Sequence, residues 1–251
     1  MPRYDFAARR LFVNAALAPS ARVDLDQTQT NYVRNVLRLA DGNKILAFNG
    51  RDGEWEACLV SSSRKLVTLN ALTMVRPQQP PSGLHYLFAP LKQARQDYLI
   101  EKAVEMGAGL LRPVLTRRTQ ARRVNLERMR AHAIEAAEQC GILSLPGSLP
   151  LTPLGQIIAT WETDRLLIYC DEEAPAGNPC EILQSCRRRA NCAKLAVLIG
   201  PEGGFDPSER EALLALPTTV RLPLGPRILR ADTAAVAALA LIQAALGDWQ
   251  G

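Results

Sequence analysis

Between residues 10 and 75 the apolar positions fall in short runs, 11–13, 44–48, 54–60 and 66–74, each with β-branched or aromatic content. Runs of that length and make-up predict strands. Between the second and third runs stand Asn49-Gly50 and Asp52-Gly53, residues that tolerate positive φ, and they predict a hairpin. One helix interrupts the strands at about 27–39, with Asp26 as N-cap and Val33, Val36 and Leu37 on a shared face. The segment Arg76-Pro77-Gln78-Gln79-Pro80-Pro81-Ser82-Gly83 cannot continue a strand or a helix and reads as a linker, so a domain boundary belongs there.

After the linker the period changes. Strands are expected at 85–90, 110–115, 164–170, 194–199 and 218–222, and helices at about 93–106, 125–140, 153–161 and 181–189. Alternation of this kind argues for an α/β fold, a mostly parallel sheet with helices on both faces. Gly107 and Gly141 stand where helices should end in the left-handed region. A further helix begins at Pro207, with Asp206 as N-cap and Glu209 as its capping-box partner, and the last runs over about 232–246. The expected division is therefore a β-rich unit over 1–75, a linker over 76–83 and an α/β unit over 84–251.

Composition narrows the class. A 251-residue chain with 47% hydrophobic residues can bury a sizeable core. Its longest apolar stretch, 233–246, is shorter than a membrane span, and residues 1–13 carry Arg3, Asp5, Arg9 and Arg10 around too short an apolar core for a secretory signal. A cytoplasmic protein without a membrane segment is expected. Cys58, Cys140, Cys170, Cys180, Cys186 and Cys192 lack paired C-x-x-C spacing and are expected mostly as small buried hydrophobes. With only His85 and His132 beside them, no metal site is expected. The net charge of +5 is uneven: residues 1–76 hold 11 Lys/Arg against 7 Asp/Glu, the remainder 19 against 18. A polyanionic partner would suit the first third.

Two loops at the carboxyl ends of the last two expected strands occupy the usual position of a ligand crevice in an open α/β sheet. The first, Ile199-Gly200-Pro201-Glu202-Gly203-Gly204-Phe205, lets backbone approach a ligand. It matches neither the P-loop nor the dinucleotide fingerprint, and Glu202 would repel a phosphate, so a neutral or cationic ligand suits it better. The second, residues 222–234, combines Leu224, a Gly225-Pro226 turn, Arg227, Ile228, Leu229 and Arg230 just before a helix, a composition that can build an apolar slot with a cationic rim. Either loop alone could equally be a tight turn.

Together they resemble a known family. Residues 199–205 are similar to the I-G-P-E-G-G segment, and 224–234 to the L-G-P-R-I-L-R-x-[ED]-T-A segment, of the RsmE-type uridine methyltransferases of the SPOUT superfamily. Lys92 with Tyr-Leu-Ile-Glu-Lys-Ala-Val-Glu-Met-Gly at 98–107, Arg112-Pro113 to Arg118, Glu138-Gln139-Cys140-Gly141, and residues 31–42 around Val36-Leu37-Arg38 extend the resemblance over nearly the whole chain. It departs at Asn31, where the family commonly has His, and at Ile142, where it has Arg.

The resemblance implies a PUA-like RNA-binding β-barrel followed by a SPOUT domain with a trefoil-knotted C-terminus, a topology that no hydrophobic pattern reveals. It also implies a homodimer that uses S-adenosylmethionine to methylate N3 of a uridine in 16S RNA of the small ribosomal subunit. Ile199, Gly200, Glu202, Gly203, Leu224, Gly225, Ile228, Leu229, Arg230 and Thr233 would then hold the cofactor. Arg230 would stabilise negative charge developing on the uracil, and Glu202 would orient cofactor or relay a proton. Arg230 could instead make a phosphate contact or an ion pair with Asp232 or Glu202, and Glu202 could cap loop amides. His85 and His132 are not placed to act as the base. Arg9, Arg10, Arg34 and Arg38, with Arg117, Arg118, Arg122 and Arg123, are candidate RNA contacts, whereas Arg187-Arg188-Arg189 more simply complements a helix dipole. A SPOUT enzyme methylating a transfer-RNA ribose 2′-hydroxyl, a non-catalytic ribosome-assembly factor and a phosphate-binding α/β protein are the alternatives, the last disfavoured by Glu202.

Overall fold

A computed structural model describes residues 8–63, 66–187 and 194–250. Arg3, Asp5, Arg188, Arg189 and Cys192 lie outside them. The chain separates into two compact units, one formed by Met1–Pro80 with Ile134–Leu145, the other by Pro81–Ala133 with Pro146–Gly251.

In the first unit β1 (Arg10–Phe12), β2 (Arg22–Asp24), β3 (Lys44–Phe48), β4 (Glu54–Ser63) and β5 (Leu66–Arg76) form a sheet in the order β1-β3-β4-β5-β2. β1 pairs parallel with β3, and the other neighbours are antiparallel. Ile45, Ala47, Trp55, Ala57, Leu59, Val67 and Leu69 enter one core with Leu11, Val23 and Val33. β2 left no sequence signal because only Val23 is buried, between two exposed charged residues. β5 continues through Arg76, the residue expected to open the linker, because Glu54 accepts from its Nε at 2.6 Å and its Nη2 at 2.8 Å.

The helix expected at 27–39 is shorter and changes form. α1 (Gln27–Asn31) starts with the expected Asp26 cap, completed by Gln29, and Tyr32–Val36 follows as a widened turn in which Leu37 N–H reaches Tyr32 O at 2.9 Å. The extra residue per turn rotates Val36 off the buried face, leaving it 61% exposed while Val33 stays buried. Arg38, at φ +55°, ends the turn. The Glu-Gln-x-Gly motif belongs to this unit: Phe12 N–H donates to Glu138 Oε1 at 2.7 Å, and Arg76 Nη2 to Gly141 O at 2.9 Å.

The second unit is the expected parallel sheet. β6 (Leu84–Phe88), β7 (Leu110–Leu115), β8 (Gly147–Ser148), β10 (Leu166–Tyr169), β11 (Leu195–Ile199) and β12 (Thr219–Arg221) run in the order β12-β10-β11-β6-β7-β8, and the short β9 (Thr152–Pro153) also pairs with β7. All these pairings are parallel. Side chains alternate between two covered faces. Leu87, Leu167, Tyr169, Ala196 and Leu198 pack with Leu154 and Ile157 of α4 (Leu154–Ala159) and Leu213 of α6 (Pro207–Leu214). On the other face α7 (Ala231–Leu246) lies against β11 and contacts α2 (Gln93–Glu105) and α5 (Pro179–Cys186). α3 (Leu126–Cys140) follows β7. The hairpin and helix-end glycines Gly50, Gly53, Gly107 and Gly141 all take positive φ, and the capping box of Asp206 and Glu209 is present. α5 starts earlier than expected, at Pro179, because Asn178 Oδ1 caps Cys180 N–H at 3.0 Å. The cysteines correct an expectation: of the described ones only Cys186 is buried, and Cys140 and Cys180 are exposed. Among the described residues no helix is long and apolar enough to cross a membrane.

Candidate functional site

Because β6, β10, β11 and β12 are parallel, their carboxyl ends open on one edge of the sheet, where loops 89–92, 170–178, 200–206 and 222–230 emerge. Both loops singled out in the sequence are there. Their glycines do different work. A Cβ on Gly200 would lie 2.4 Å from the Phe205 ring, and Phe205 is itself buried edge-on against Tyr169. Gly204 takes φ +68°, and a Cβ there would meet Glu172 Oε1 at 2.4 Å. Of the glycines in this first loop Gly203 has room: a Cβ would meet nothing closer than Arg118 at 3.7 Å. In the second loop Gly225 turns the chain at φ +92°, Leu224 and Leu229 are half-buried and Ile228 is wholly exposed, so the apolar surface expected of a slot faces solvent.

Arg95, in the first turn of α2, ties the loops together. Its Nε donates to Asp232 Oδ2 at 2.9 Å and its Nη1 to Glu202 Oε1, while its Nη2 is sealed from solvent with no protein acceptor. Hydrogen bonding to Arg95 is the main cause that holds the Asp232 carboxyl below its ordinary value. The ion pair considered for Arg230 is therefore made by Arg95. Arg230 is exposed, and its backbone carbonyl accepts from Ala234 N–H at 2.8 Å to start α7; Thr233 is exposed beside it.

A second anchor was also missed in the sequence. Asp171, just after β10, is 3% exposed and receives Arg221 Nε at 2.7 Å and Arg210 Nη2 at 3.1 Å. Burial pushes its carboxyl up, but the hydrogen bonds from Arg210, the Glu173 backbone and Arg221 outweigh it and leave the group below its ordinary value. β12 and α6 are thereby fastened to loop 170–178. The signal was one Asp in an acidic run, with partners 39 and 50 residues away.

The candidate RNA contacts divide. Arg10 is corrected: its side chain is 4% exposed and paired with Glu54 at 2.9 Å, so burial removes it from any RNA surface. Arg34 is turned inward onto Leu39 O, Asp41 and Ser61. Arg9 is exposed and donates to Leu37 O, and Arg38 is exposed. In the other unit Arg117 pairs with Asp206 at 3.2 Å, Arg118 Nη1 donates to Gly203 O at 2.8 Å, and Arg122 and Arg123 are exposed. Arg118 also lines a cleft of about 350 Å³ with Phe205, Arg210 and Leu214, beside the glycine loop. His85 lies near the amino end of β6, away from the loop edge, where burial foremost lowers its pKa to about 4. His132 contacts Glu101 at 2.9 Å on α2.

A parallel sheet with glycine-rich and apolar loops on its carboxyl edge is an α/β domain with a ligand-binding edge, and residues 78–243 match the family model of an RNA methyltransferase domain. Residues 25–72 match that of an RNA methyltransferase PUA domain. The chain is 30% identical to ribosomal RNA small subunit methyltransferase E of Rickettsia conorii, over 93% of this chain and 94% of the relative. It is 32% identical to the protein of that name from Synechocystis, over 95% and 78%. The chain belongs to the ribosomal RNA small subunit methyltransferase E family. Among solved structures, a methyltransferase of Legionella pneumophila in complex with S-adenosylmethionine superposes with a TM-score of 0.81 at 25% identity, covering 95% of this chain and 98% of that one. The small subunit methyltransferase E of Neisseria gonorrhoeae shares the fold, with a TM-score of 0.85 at 24% identity, covering 97% and 100%.

Proposed function

We propose that this protein binds S-adenosylmethionine at the carboxyl edge of its parallel sheet and transfers the methyl group to N3 of a uridine in 16S RNA of the small ribosomal subunit. The observation that carries the reading is the latch of loop 200–206 to the start of α7 through Arg95, in a chain of this family. The residues fit the cofactor: Gly203 leaves backbone open, Ile228 and Leu229 offer apolar surface, and Arg95 keeps an unpartnered N–H. When bound, the cofactor supplies an electrophilic methyl group on a sulfonium.

The chain's part is positioning and charge. Backbone at Ile199, Gly200 and Gly203, with Leu224, Gly225, Ile228, Leu229 and Thr233, would hold the cofactor, and holding nucleophile and methyl carbon in line is worth roughly 7 to 11 kcal/mol in favourable systems. Uracil N3 loses its proton as it takes the methyl group. Arg230, exposed beside the helix start, would stabilise the negative charge on the uracil carbonyls, and Glu202 would orient the cofactor or relay the proton. Arg9, Arg38, Arg122 and Arg123 remain accessible for phosphates, and the PUA-like unit is the RNA-binding module of this reading. The homodimer and the threaded C-terminus belong to the same reading through the family resemblance.

The test is transfer of labelled methyl from S-adenosylmethionine to purified small subunits and, separately, to bulk transfer RNA, with nucleoside analysis. N3-methyluridine in small-subunit RNA alone is the expected result. Label in transfer RNA would move the target, and no label with no cofactor binding would end the enzyme reading.

A further inference from the structure

We propose that Arg95 is the positioning residue of the transfer site: two of its nitrogens latch the Glu202 loop to the first turn of α7, and the third donates a hydrogen bond to an acceptor oxygen of the bound reactants. The inference rests on the methyltransferase reading and assigns a role to a residue outside both recognised motifs.

Three observations carry it. A guanidinium presents a planar fork of donors, and here each arm has a different fate: Nε on Asp232 at 2.9 Å, Nη1 on Glu202, Nη2 on nothing. Its partners sit on separate segments that converge on the carboxyl edge, one after β11 and one opening α7, so a single side chain fixes the spacing between the two loops that flank the cofactor site. The remaining arm is closed to water, and a buried donor without an acceptor is costly enough to be rare in a finished structure. A ligand oxygen that enters between these loops and displaces the cover over this nitrogen completes it.

Two reactants bring such an oxygen: the carboxylate of the cofactor's methionine moiety and the carbonyls of the uracil. Both are planar oxygen acceptors that a guanidinium recognises. The donor is neither the methyl carrier nor the proton acceptor; it fixes where those groups stand.

The experiment compares the wild-type chain with Arg95→Lys and Arg95→Gln in two assays. One is calorimetric binding of S-adenosylmethionine alone; the other is methyl transfer to small subunits with kcat and KM resolved. Lysine keeps the charge but gathers its donors on one nitrogen in place of the planar fork, so both variants are expected to lose about tenfold or more in one assay. Loss of cofactor affinity greater than that of Asp232→Ala, which loosens the latch but keeps the third arm, assigns the oxygen to the methionine carboxylate. Unchanged cofactor affinity with a fall in kcat and an unchanged KM for subunits assigns it to the uracil. Values within about twofold of wild type in both assays overturn the proposal. If the Arg95 variants fail to fold, Asp232→Ala, which keeps the guanidinium but removes its acceptor on α7, is measured in the same two assays against the same criteria. A wild-type chain that neither binds cofactor nor methylates would overturn the functional reading itself, whereas an active wild type with unaffected variants overturns this inference alone.

Discussion

Gly200 and Gly203 are one motif in the sequence and two different problems in space. Gly200 is small because the buried Phe205 ring occupies the volume a Cβ would need, 2.4 Å away. Gly200→Ala is therefore expected to displace Phe205 and destabilise the loop by about 1 to 3 kcal/mol, read as a lower unfolding midpoint without ligand. Gly203→Ala meets only ordinary contacts, so its midpoint should stay at the wild-type value while cofactor affinity, measured calorimetrically, falls. Equal midpoints for the two variants would refute that division of labour. Tyr86 is a different case: it is fully buried, stacked on Phe88, and its hydroxyl has no hydrogen-bond partner. Burial, with the charge of Asp232 as a lesser cause, raises its pKa well above the ordinary value, so it stays a neutral phenol. Tyr86→Phe removes an unpaired polar atom and should raise stability by about 1 kcal/mol in a denaturant titration.

At the scale of elements, the carboxyl edge is held by charges that the helices and strands deliver from far apart. Asp171 gathers Arg210 from α6 and Arg221 from β12 onto the end of β10. Asp171→Asn takes the buried anion from both arginines, leaving Arg210 with Glu173 at 3.4 Å, and since both are partly exposed the expected cost falls below the roughly 3 to 5 kcal/mol of a broken buried pair, at about 2 kcal/mol at neutral pH. The sign of the pH dependence follows from a carboxyl whose folded pKa lies below its ordinary value of 3.8. The stabilisation is complete above that value and is lost as the pH falls through the folded pKa. The wild-type advantage over Asp171→Asn in unfolding free energy should thus be flat near neutrality and shrink below about pH 4. An advantage that persisted at lower pH would exclude the ion pair as its source. In the first unit the widened turn at Tyr32–Val36 has a comparable consequence for shape, because it exposes Val36 and delivers Arg38 at positive φ, where a regular helix would have buried one and turned the other.

For the whole molecule the question is which positive charges are available to a polyanion. Arg10 and Arg34 are consumed within the first unit, and Arg117 and Arg118 are engaged by Asp206 and Gly203 in the second. Arg122 and Arg123 are exposed on the loop after β7. Replacing both with Ala should weaken RNA binding uniformly across sequences and reduce the slope of log K against log salt by about 0.7 to 0.9 for each phosphate no longer neutralised. Removing Arg10 should lower stability, not the salt slope. A double variant with an unchanged slope would place the phosphate-binding cations elsewhere.

The parallel sheet, its helix caps and the two loops were legible in the chain because each depends on local chemistry: buried parallel strands read as continuous apolar runs, Asp206-Pro207-Ser208-Glu209 is a complete capping signal, and glycine and proline mark turns wherever they stand. β2 and the widened turn were not, since one depends on a single buried Val23 and the other on an i to i+5 hydrogen bond that leaves no periodic trace. The partners of the charged residues were also beyond reach. Nothing near Arg95 in the sequence names Asp232 or Glu202, and nothing near Arg10 names Glu54, because an ion pair is decided by which surfaces the strands bring together. The sequence by itself determined the main strands and helices, the glycine-rich edge and the family. Only the tertiary structure decided which arginines are spent on holding the fold and which remain for a ligand, because burial and pairing depend on distances between residues far apart in the chain.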